Sequence, residues 1–267
     1  MLAGRATETG HPMNENPPRV GLLVTCLVDL FRPSVGFAAV RLLEAADCRV
    51  EVPRQTCCGQ PAYNGGDEDT ARALARAMID ALEGFDYAVA PSGSCAGMAV
   101  VHYPRLFATD EEWGPRARAL ADKTFELTRF LTDIAPRPIP PADHDGPVAY
   151  HDSCAGLREL DIRDQPRALL DRVRGLELRV PEDAEQCCGF GGTFCVQYPD
   201  ISAHMAAAKV EALAATGADL VLGGDLGCLL NIAGKCSRDG RPLRARHVAE
   251  ILAGMTETPA IGEGGAG

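Results

Sequence analysis

The sequence QTCCGQPAYNGG, residues 55–66, contains two adjacent cysteines followed at once by glycine, and the same triplet returns in CCGFGGTF, residues 187–194. Two further cysteines repeat with each triplet. The four cysteines of the first half, and their counterparts at offsets of 128, 130, 130 and 133 residues, are Cys26, Cys57, Cys58 and Cys95, then Cys154, Cys187, Cys188 and Cys228. Four matched landmarks indicate an internal repeat. The chain is therefore predicted to contain two copies of one module.

Within each copy, short apolar runs alternate with helical patterns, which is typical of a parallel sheet flanked by helices. The clearest helix covers 71–82, where apolar residues follow the i, i+3, i+4, i+7 spacing of one buried face. The predicted strands are 20–25, 49–53, 87–90, 148–151, 177–180 and 219–222. The other predicted helices are 35–46, about 115–133, 164–173 and 200–215. The predicted fold class is α/β, with two pseudo-repeated modules and cysteines at the C-terminal edges of the strands.

The boundaries of the two modules follow from composition. APRPIPPADHDGP, residues 135–147, has five prolines and no apolar periodicity, so we interpret it as a linker between modules at 19–134 and 148–256. Residues 1–18 are polar and proline-rich, and residues 257–267 end in small residues. We expect a disordered N-terminal segment and a flexible tail.

Charge and composition exclude several classes of function. The net charge of -11 argues against nucleic acid or an anionic membrane as the main partner. No apolar run is long enough to span a bilayer, and the first residues lack the apolar region of a signal peptide, so we expect a cytoplasmic protein. Disulfides are uncommon there, and eleven cysteines therefore point to metal or redox chemistry.

The position of the cysteines favours iron-sulfur clusters. The C-terminal edge of a parallel sheet is where α/β folds form their sites, so the four cysteines of each half are expected to converge there. Four thiolates are the usual ligand set of one cluster, so we expect up to one cluster, of the 4Fe-4S type, per module. Adjacent cysteines suit two irons better than two corners around one small ion. Gly59 and Gly189 are expected to allow backbone angles closed to other residues.

Zinc is the main alternative, because four cysteines also bind zinc, although neither half has the Cys-x-x-Cys pair common in zinc sites. A switch based on a disulfide between adjacent cysteines is disfavoured by strain. Cys195, seven residues after Cys188, is a candidate spare ligand. His151 is a candidate auxiliary ligand, although a histidine at a strand end is more often a hydrogen-bonded structural residue. Cys48 and Cys236 have no counterparts and are interpreted as packing thiols.

The chain resembles the cysteine-rich CCG proteins, a family that includes a component of heterodisulfide reductase, and within it the lactate utilisation A group. The strings that carry the resemblance are VTCLVDLFRPSVG, QTCCGQPAYNGG, APSGSCAGM, YHDSCAGLREL, CCGFGGTF and GCLLNIAGK. The resemblance implies an iron-sulfur subunit of a complex that oxidises L-lactate to pyruvate. It also implies two companions, lactate utilisation proteins B and C, of which the first carries ferredoxin-like iron-sulfur sites.

One departure from the family pattern concerns the last cysteine of each module. The wider family often has Cys-x-x-Cys there, but the first of those positions is Ser92 or Asp225. Four ligands remain per module, which puts a five-thiolate cluster and heterodisulfide chemistry in doubt. Asp225 is a candidate oxygen ligand, and a solvated loop carboxylate is the more common role of such a residue.

No dinucleotide or phosphate-binding fingerprint is present, so no flavin or nicotinamide site is evident. Three functions stay open. The first is an electron-transfer subunit, the second a catalytic subunit with heterodisulfide-reductase-like chemistry at a cluster, and the third a zinc-stabilised assembly subunit without enzymatic activity.

Overall fold

The computed structural model describes residues 16–263. Residues 1–15, within the predicted disordered segment, and residues 264–267 of the predicted tail lie outside the described residues. None of the described helices has the length and apolarity needed to span a bilayer.

The first half forms a four-stranded parallel sheet in the order β2-β1-β3-β4. Its strands are β1 (Arg19–Leu22), β2 (Arg49–Glu51), β3 (Tyr87–Ala90) and β4 (Thr124–Glu126). The helices described in this half are α1 (Cys26–Phe31), α2 (Pro33–Ala45), α3 (Gln60–Asn64), α4 (Glu68–Leu82), α5 (Gly93–Gly97), α6 (Tyr103–Leu106), α7 (Trp113–Ala121) and α8 (Leu127–Arg129), with π-helical turns at Met98–His102 and Phe130–Ile134.

The second half repeats this topology, with a parallel sheet in the order β6-β5-β7-β8. Its strands are β5 (Asp143–His151), β6 (Arg174–Arg179), β7 (Leu220–Gly223) and β8 (Arg244–His247). The helices described here are α9 (Cys154–Glu159), α10 (Asp164–Leu170), α11 (Phe194–Gln197), α12 (Pro199–Ala215), α13 (Leu226–Arg238) and α14 (Val248–Leu252). The equal strand orders confirm the predicted pair of α/β modules.

The two halves share one hydrophobic core. A single cluster of buried side chains includes Val20 and Leu42 of the first half with Val148 and Leu252 of the second. A buried ion pair also joins the halves, since Arg32 lies 3.0 Å from the carboxylate of Glu250, and both side chains are withdrawn from solvent. Apolar burial and a desolvated charge pair therefore fix the modules against each other.

Several predicted boundaries are wrong. The single helix predicted over about 115–133 is divided into α7, β4 and α8, because β4 is a short buried strand whose neighbours Leu120 and Leu127 happen to keep helical spacing. β5 begins at Asp143, inside the predicted linker, and pairs with β6 from there. In the predicted flexible tail, Ile261 is buried and pairs with Ala245 of β8.

Candidate cysteine-rich metal centres

Both sets of cysteines lie where the strands end. In the first half Cys26 begins α1 just after β1, the pair Cys57 and Cys58 lies in the loop after β2, and Cys95 lies in α5 after β3. Short helices hold these thiols in place through their N-terminal caps. The side chain of Ser92, for example, accepts a hydrogen bond from the backbone N–H of Cys95 at 3.3 Å. Three separate loops thus converge at one edge of the sheet, as predicted.

The adjacent cysteines of the first site contact different partners. Cys57 Sγ lies 3.8 Å from Cys26 Sγ, whereas Cys58 Sγ lies 3.3 Å from Cys95 Sγ. All eleven cysteines of the chain are free thiols in this structure. The four sulfurs line one side of a cavity of about 190 Å³. That space is several times the share of a water molecule in the liquid, so it accommodates a polynuclear group rather than a single ion.

The hydrogen bonds among these thiols decide which sulfur loses its proton first. Bonds from the Cys26 and Cys58 thiols, and from the backbone N–H of Gly59 at 3.5 Å, lower the pKa of Cys57 well below its ordinary value. Because they donate those bonds and are desolvated, Cys26 and Cys58 have raised pKa values. Cys57 is therefore the first thiolate of the set, and thiolate is the form that binds metal.

The second site repeats this pattern. Hydrogen bonds from Cys154 and Cys188, and from the backbone N–H of Gly189 at 3.4 Å, lower the pKa of Cys187. Cys188 in turn contacts Cys228, and both are buried. The structure thus brings together all four thiols predicted for this half.

Comparisons with known proteins agree with the repeat. The pattern of the family described as CCG, cysteine-rich domain, matches residues 20–99 and 148–233, one match in each half. The chain belongs to the CCG cysteine-rich domain family. Among curated relatives, "Lactate utilization protein A" of Geobacillus sp. (strain WCH70) is 46% identical over 88% of this chain and 98% of its own. The protein of the same name from Bacillus cytotoxicus is 44% identical over the same shares of both chains.

A solved structure shows the same fold. The crystal structure of a hypothetical protein from Helicobacter pylori superposes with a TM-score of 0.61, at 14% sequence identity, over 91% of this chain and 50% of that one. At this identity the likeness concerns the fold alone. It supports the α/β architecture of the two CCG domains.

The glycine of each CCG triplet has a conformation that favours glycine. Gly59 has a φ of 89° and Gly189 a φ of 82°. A Cβ on Gly189 would lie 2.7 Å from the carbonyl oxygen of Ser202, a contact that real Cβ atoms do not make. The prediction that these glycines permit special backbone angles is confirmed.

His151 departs from its expected role. A hydrogen-bonded structural histidine was the more common alternative, yet within residues 16–263 neither ring nitrogen has a hydrogen-bond partner. The side chain is 1% exposed. A ring nitrogen of His151 and the sulfurs of Cys188 and Cys228 lie within 4.8 Å of one another. Burial lowers the pKa of His151 to about 3, so the ring is neutral near pH 7, the form that ligates metals.

The other two auxiliary candidates are held by protein groups. Asp225 is 4% exposed, so the expectation of a solvated carboxylate is wrong. Its oxygens accept hydrogen bonds from the Ser92 hydroxyl, the Ser94 N–H and the Gly227 N–H, at 3.0 to 3.2 Å. The Cys195 thiol donates to the carbonyl of Gly192. Neither contact indicates a ligand role.

Sequence reasoning missed three residues that support the sites. The hydroxyl of Tyr103 donates a hydrogen bond to the carbonyl of Cys58 at 2.7 Å. The side-chain amide of Asn231 donates a hydrogen bond to the carbonyl of Cys188 at 2.8 Å. Lys209 is fully buried beside the second site. Its position on the apolar face of a predicted helix was a readable signal, because lysine is almost never buried without a partner.

The residues present fit iron-sulfur clusters in both CCG domains. Each domain offers four thiols, one of them poised as a thiolate, and the first has a cavity of suitable size. At the second site the unpartnered nitrogens of His151 are a further potential donor beside Cys188 and Cys228.

Proposed function

We propose that this chain is the iron-sulfur electron-transfer subunit of an L-lactate oxidising complex, with one cluster in each CCG domain. The observation that carries the proposal is the pair of matched four-thiol sets at the C-terminal edges of two equivalent sheets. When bound, such clusters accept and release single electrons. The chain's own thiols would hold the clusters.

The geometry of the first site supports a cluster over a single zinc ion. Cys57 contacts Cys26 and Cys58, and Cys58 contacts Cys95, so the four sulfurs form one continuous row. The cavity that they line exceeds the volume of one ion. Phe190 from the second half contributes an apolar side chain to its wall.

Lactate enters the proposal through the curated relatives, which carry the name lactate utilization protein A. Among the described residues that line the cavity, no cationic side chain is present to bind a carboxylate. We therefore place the binding and oxidation of lactate on the companion lactate utilisation proteins B and C, with this chain receiving electrons from them.

Zinc is the second candidate, and one observation favours it at the second site. His151, Cys188 and Cys228 form a compact buried set of the kind that holds a single zinc ion. A zinc-stabilised assembly subunit would need zinc at this second site and no metal at the first.

The proposal is tested by anaerobic purification of the full chain, reconstitution with iron and sulfide, and measurement of both per chain. We expect two clusters and a reducible electron paramagnetic resonance signal. Cys95→Ser and Cys228→Ser should each lose about half of the iron, because each removes one ligand of one four-thiolate cluster. The matched controls Cys48→Ser and Cys236→Ser change buried thiols outside both sites, so these variants should keep the full amount of iron.

Iron-free protein after reconstitution, or zinc bound without sulfide, would contradict the proposal. Addition of the two companion proteins tests the lactate step. We expect lactate-dependent reduction of the clusters in the wild-type complex. Reduction by lactate in the isolated chain would instead favour a catalytic role.

A further inference from the structure

Because of the internal repeat, each residue near one site has a counterpart near the other site. At one buried position the two counterparts differ in chemical type. Strand register makes Leu22 of β1 the counterpart of Tyr150 of β5. The next residues are therefore counterparts as well. Leu23 in the first half corresponds to His151 in the second, and both side chains are buried at 1% exposure. An imidazole thus replaces an aliphatic side chain at the second site only.

A second buried position changes in the same direction. The glycine of each CCG triplet packs on the same turn of its helix, against Leu74 of α4 or Met205 of α12. Four residues further, on the same helix face, are Met78 and Lys209, both at 0% exposure. The ammonium of Lys209 donates to two backbone carbonyls, and its charge acts on the thiols of the second site. A buried cation thus stands where the first half has a thioether.

The unsatisfied state of His151 requires an explanation. A buried polar group without a hydrogen bond costs on the order of 1–3 kcal/mol, and native proteins rarely leave two such atoms on one ring. The sulfurs of Cys188 and Cys228 and a nitrogen of this ring lie within 4.8 Å of one another. A metal bound by those sulfurs would take one nitrogen of the same ring as its ligand, and the cost at that nitrogen would be removed.

We propose that the two sites are not equivalent, and that His151 is a nitrogen ligand of the group bound at the second site, beside the buried cation of Lys209. The positive charge of Lys209 stabilises the reduced, more negative form of the centre, and a neutral imidazole added to the four thiolates brings no negative charge that would oppose it. The second centre therefore has the higher potential. An electron shared between the two centres resides mainly at the second.

The ligand assignment is tested on the iron-loaded full chain by pulsed electron paramagnetic resonance, with histidine labelled by ¹⁵N. We expect a strong nitrogen coupling that changes with the label and disappears in His151→Leu, which installs the residue of the first site. The labelled wild-type protein decides the matter even where the variant fails to fold. A fully loaded protein without histidine coupling would overturn the assignment.

The charge effect is tested by redox titration of Lys209→Met, which also installs the residue of the first site. The potential of the second signal should fall toward that of the first, with the nitrogen coupling retained. An unchanged or raised potential would refute this part. The assignment rests on the proposed function only for the identity of the cluster. If the chain binds zinc without sulfide, the proposed function fails, and the ¹⁵N shift of His151 in that zinc form still decides its ligand role.

Discussion

The glycines of the two CCG triplets provide a matched pair of perturbations. Both have positive φ, but their surroundings differ: a Cβ on Gly59 meets nothing closer than 3.4 Å, whereas one on Gly189 meets Ser202 O at 2.7 Å. Alanine at either position costs about 1–2 kcal/mol for the left-handed backbone. It recovers roughly 0.4–1 kcal/mol because the unfolded chain has less freedom. The expected net loss for Gly59→Ala is about 1 kcal/mol.

At Gly189 the clash adds to that loss. The obstructing atom is backbone oxygen, which moves less easily than the end of a side chain, and overpacking of this kind costs about 1–3 kcal/mol. Gly189→Ala is therefore expected to lose about 2–4 kcal/mol of unfolding free energy. Gly240→Ala is the control, since Gly240 also has positive φ but nothing lies within 4 Å of its Cβ position. It reports the backbone cost alone.

The assay is urea denaturation of the reduced, metal-free variants under argon, followed by iron measurement after reconstitution. We expect Gly240→Ala to be the most stable variant, Gly59→Ala to be close to it, and Gly189→Ala to be the least stable. Iron should be lost mainly from the second site in Gly189→Ala. Equal destabilisation by Gly59→Ala and Gly189→Ala would refute the reasoning, because it would mean that the backbone relaxes away from the clash.

Three further predictions concern residues outside the cysteine sets. Glu250→Gln leaves the buried guanidinium of Arg32 without its charge partner, so urea denaturation should show a loss of about 3–5 kcal/mol. Burial raises the pKa of Glu126 to about 7 from 4.5, so the folded state binds the proton of this carboxyl more tightly than the unfolded chain does. The free energy of unfolding should therefore fall by about 3 kcal/mol between pH 4.5 and pH 7. Glu126→Gln should remove this pH dependence. Tyr103→Phe removes the 2.7 Å hydrogen bond to the Cys58 carbonyl and should cost about 1 kcal/mol in the same denaturation assay, whereas an unchanged midpoint would contradict it.

The cysteine spacing was sufficient to predict the two modules, because a repeated ligand set requires a repeated scaffold to present it. Strands β4 and β8 were not predicted, since three or four residues such as Arg-Ala-Arg-His give no apolar run. Their backbone pairing comes from the neighbouring strands β3 and β7, which a local pattern does not contain.

Among the candidate ligands, the sequence distinguished the repeated cysteines from the rest but could not rank His151. A histidine at a strand end has the same pattern whether its ring is hydrogen-bonded or not. Only the three-dimensional surroundings show that both nitrogens lack partners within the described chain. The same holds for Asp225, whose burial depends on contacts with Ser92 and Ser94 from the other half.

Those contacts give a reason for the missing fifth cysteines. Where the wider family pattern has the first cysteine of Cys-x-x-Cys, this chain has Ser92 and Asp225, each the N-cap of the helix that carries the last thiol of its domain. The two caps are hydrogen-bonded to each other at 3.1 Å across the halves. The helices that hold Cys95 and Cys228 are thereby tied end to end. A position that holds a cysteine in the wider family pattern instead fixes the two cysteine sets relative to each other, as electron transfer between the two proposed clusters would require.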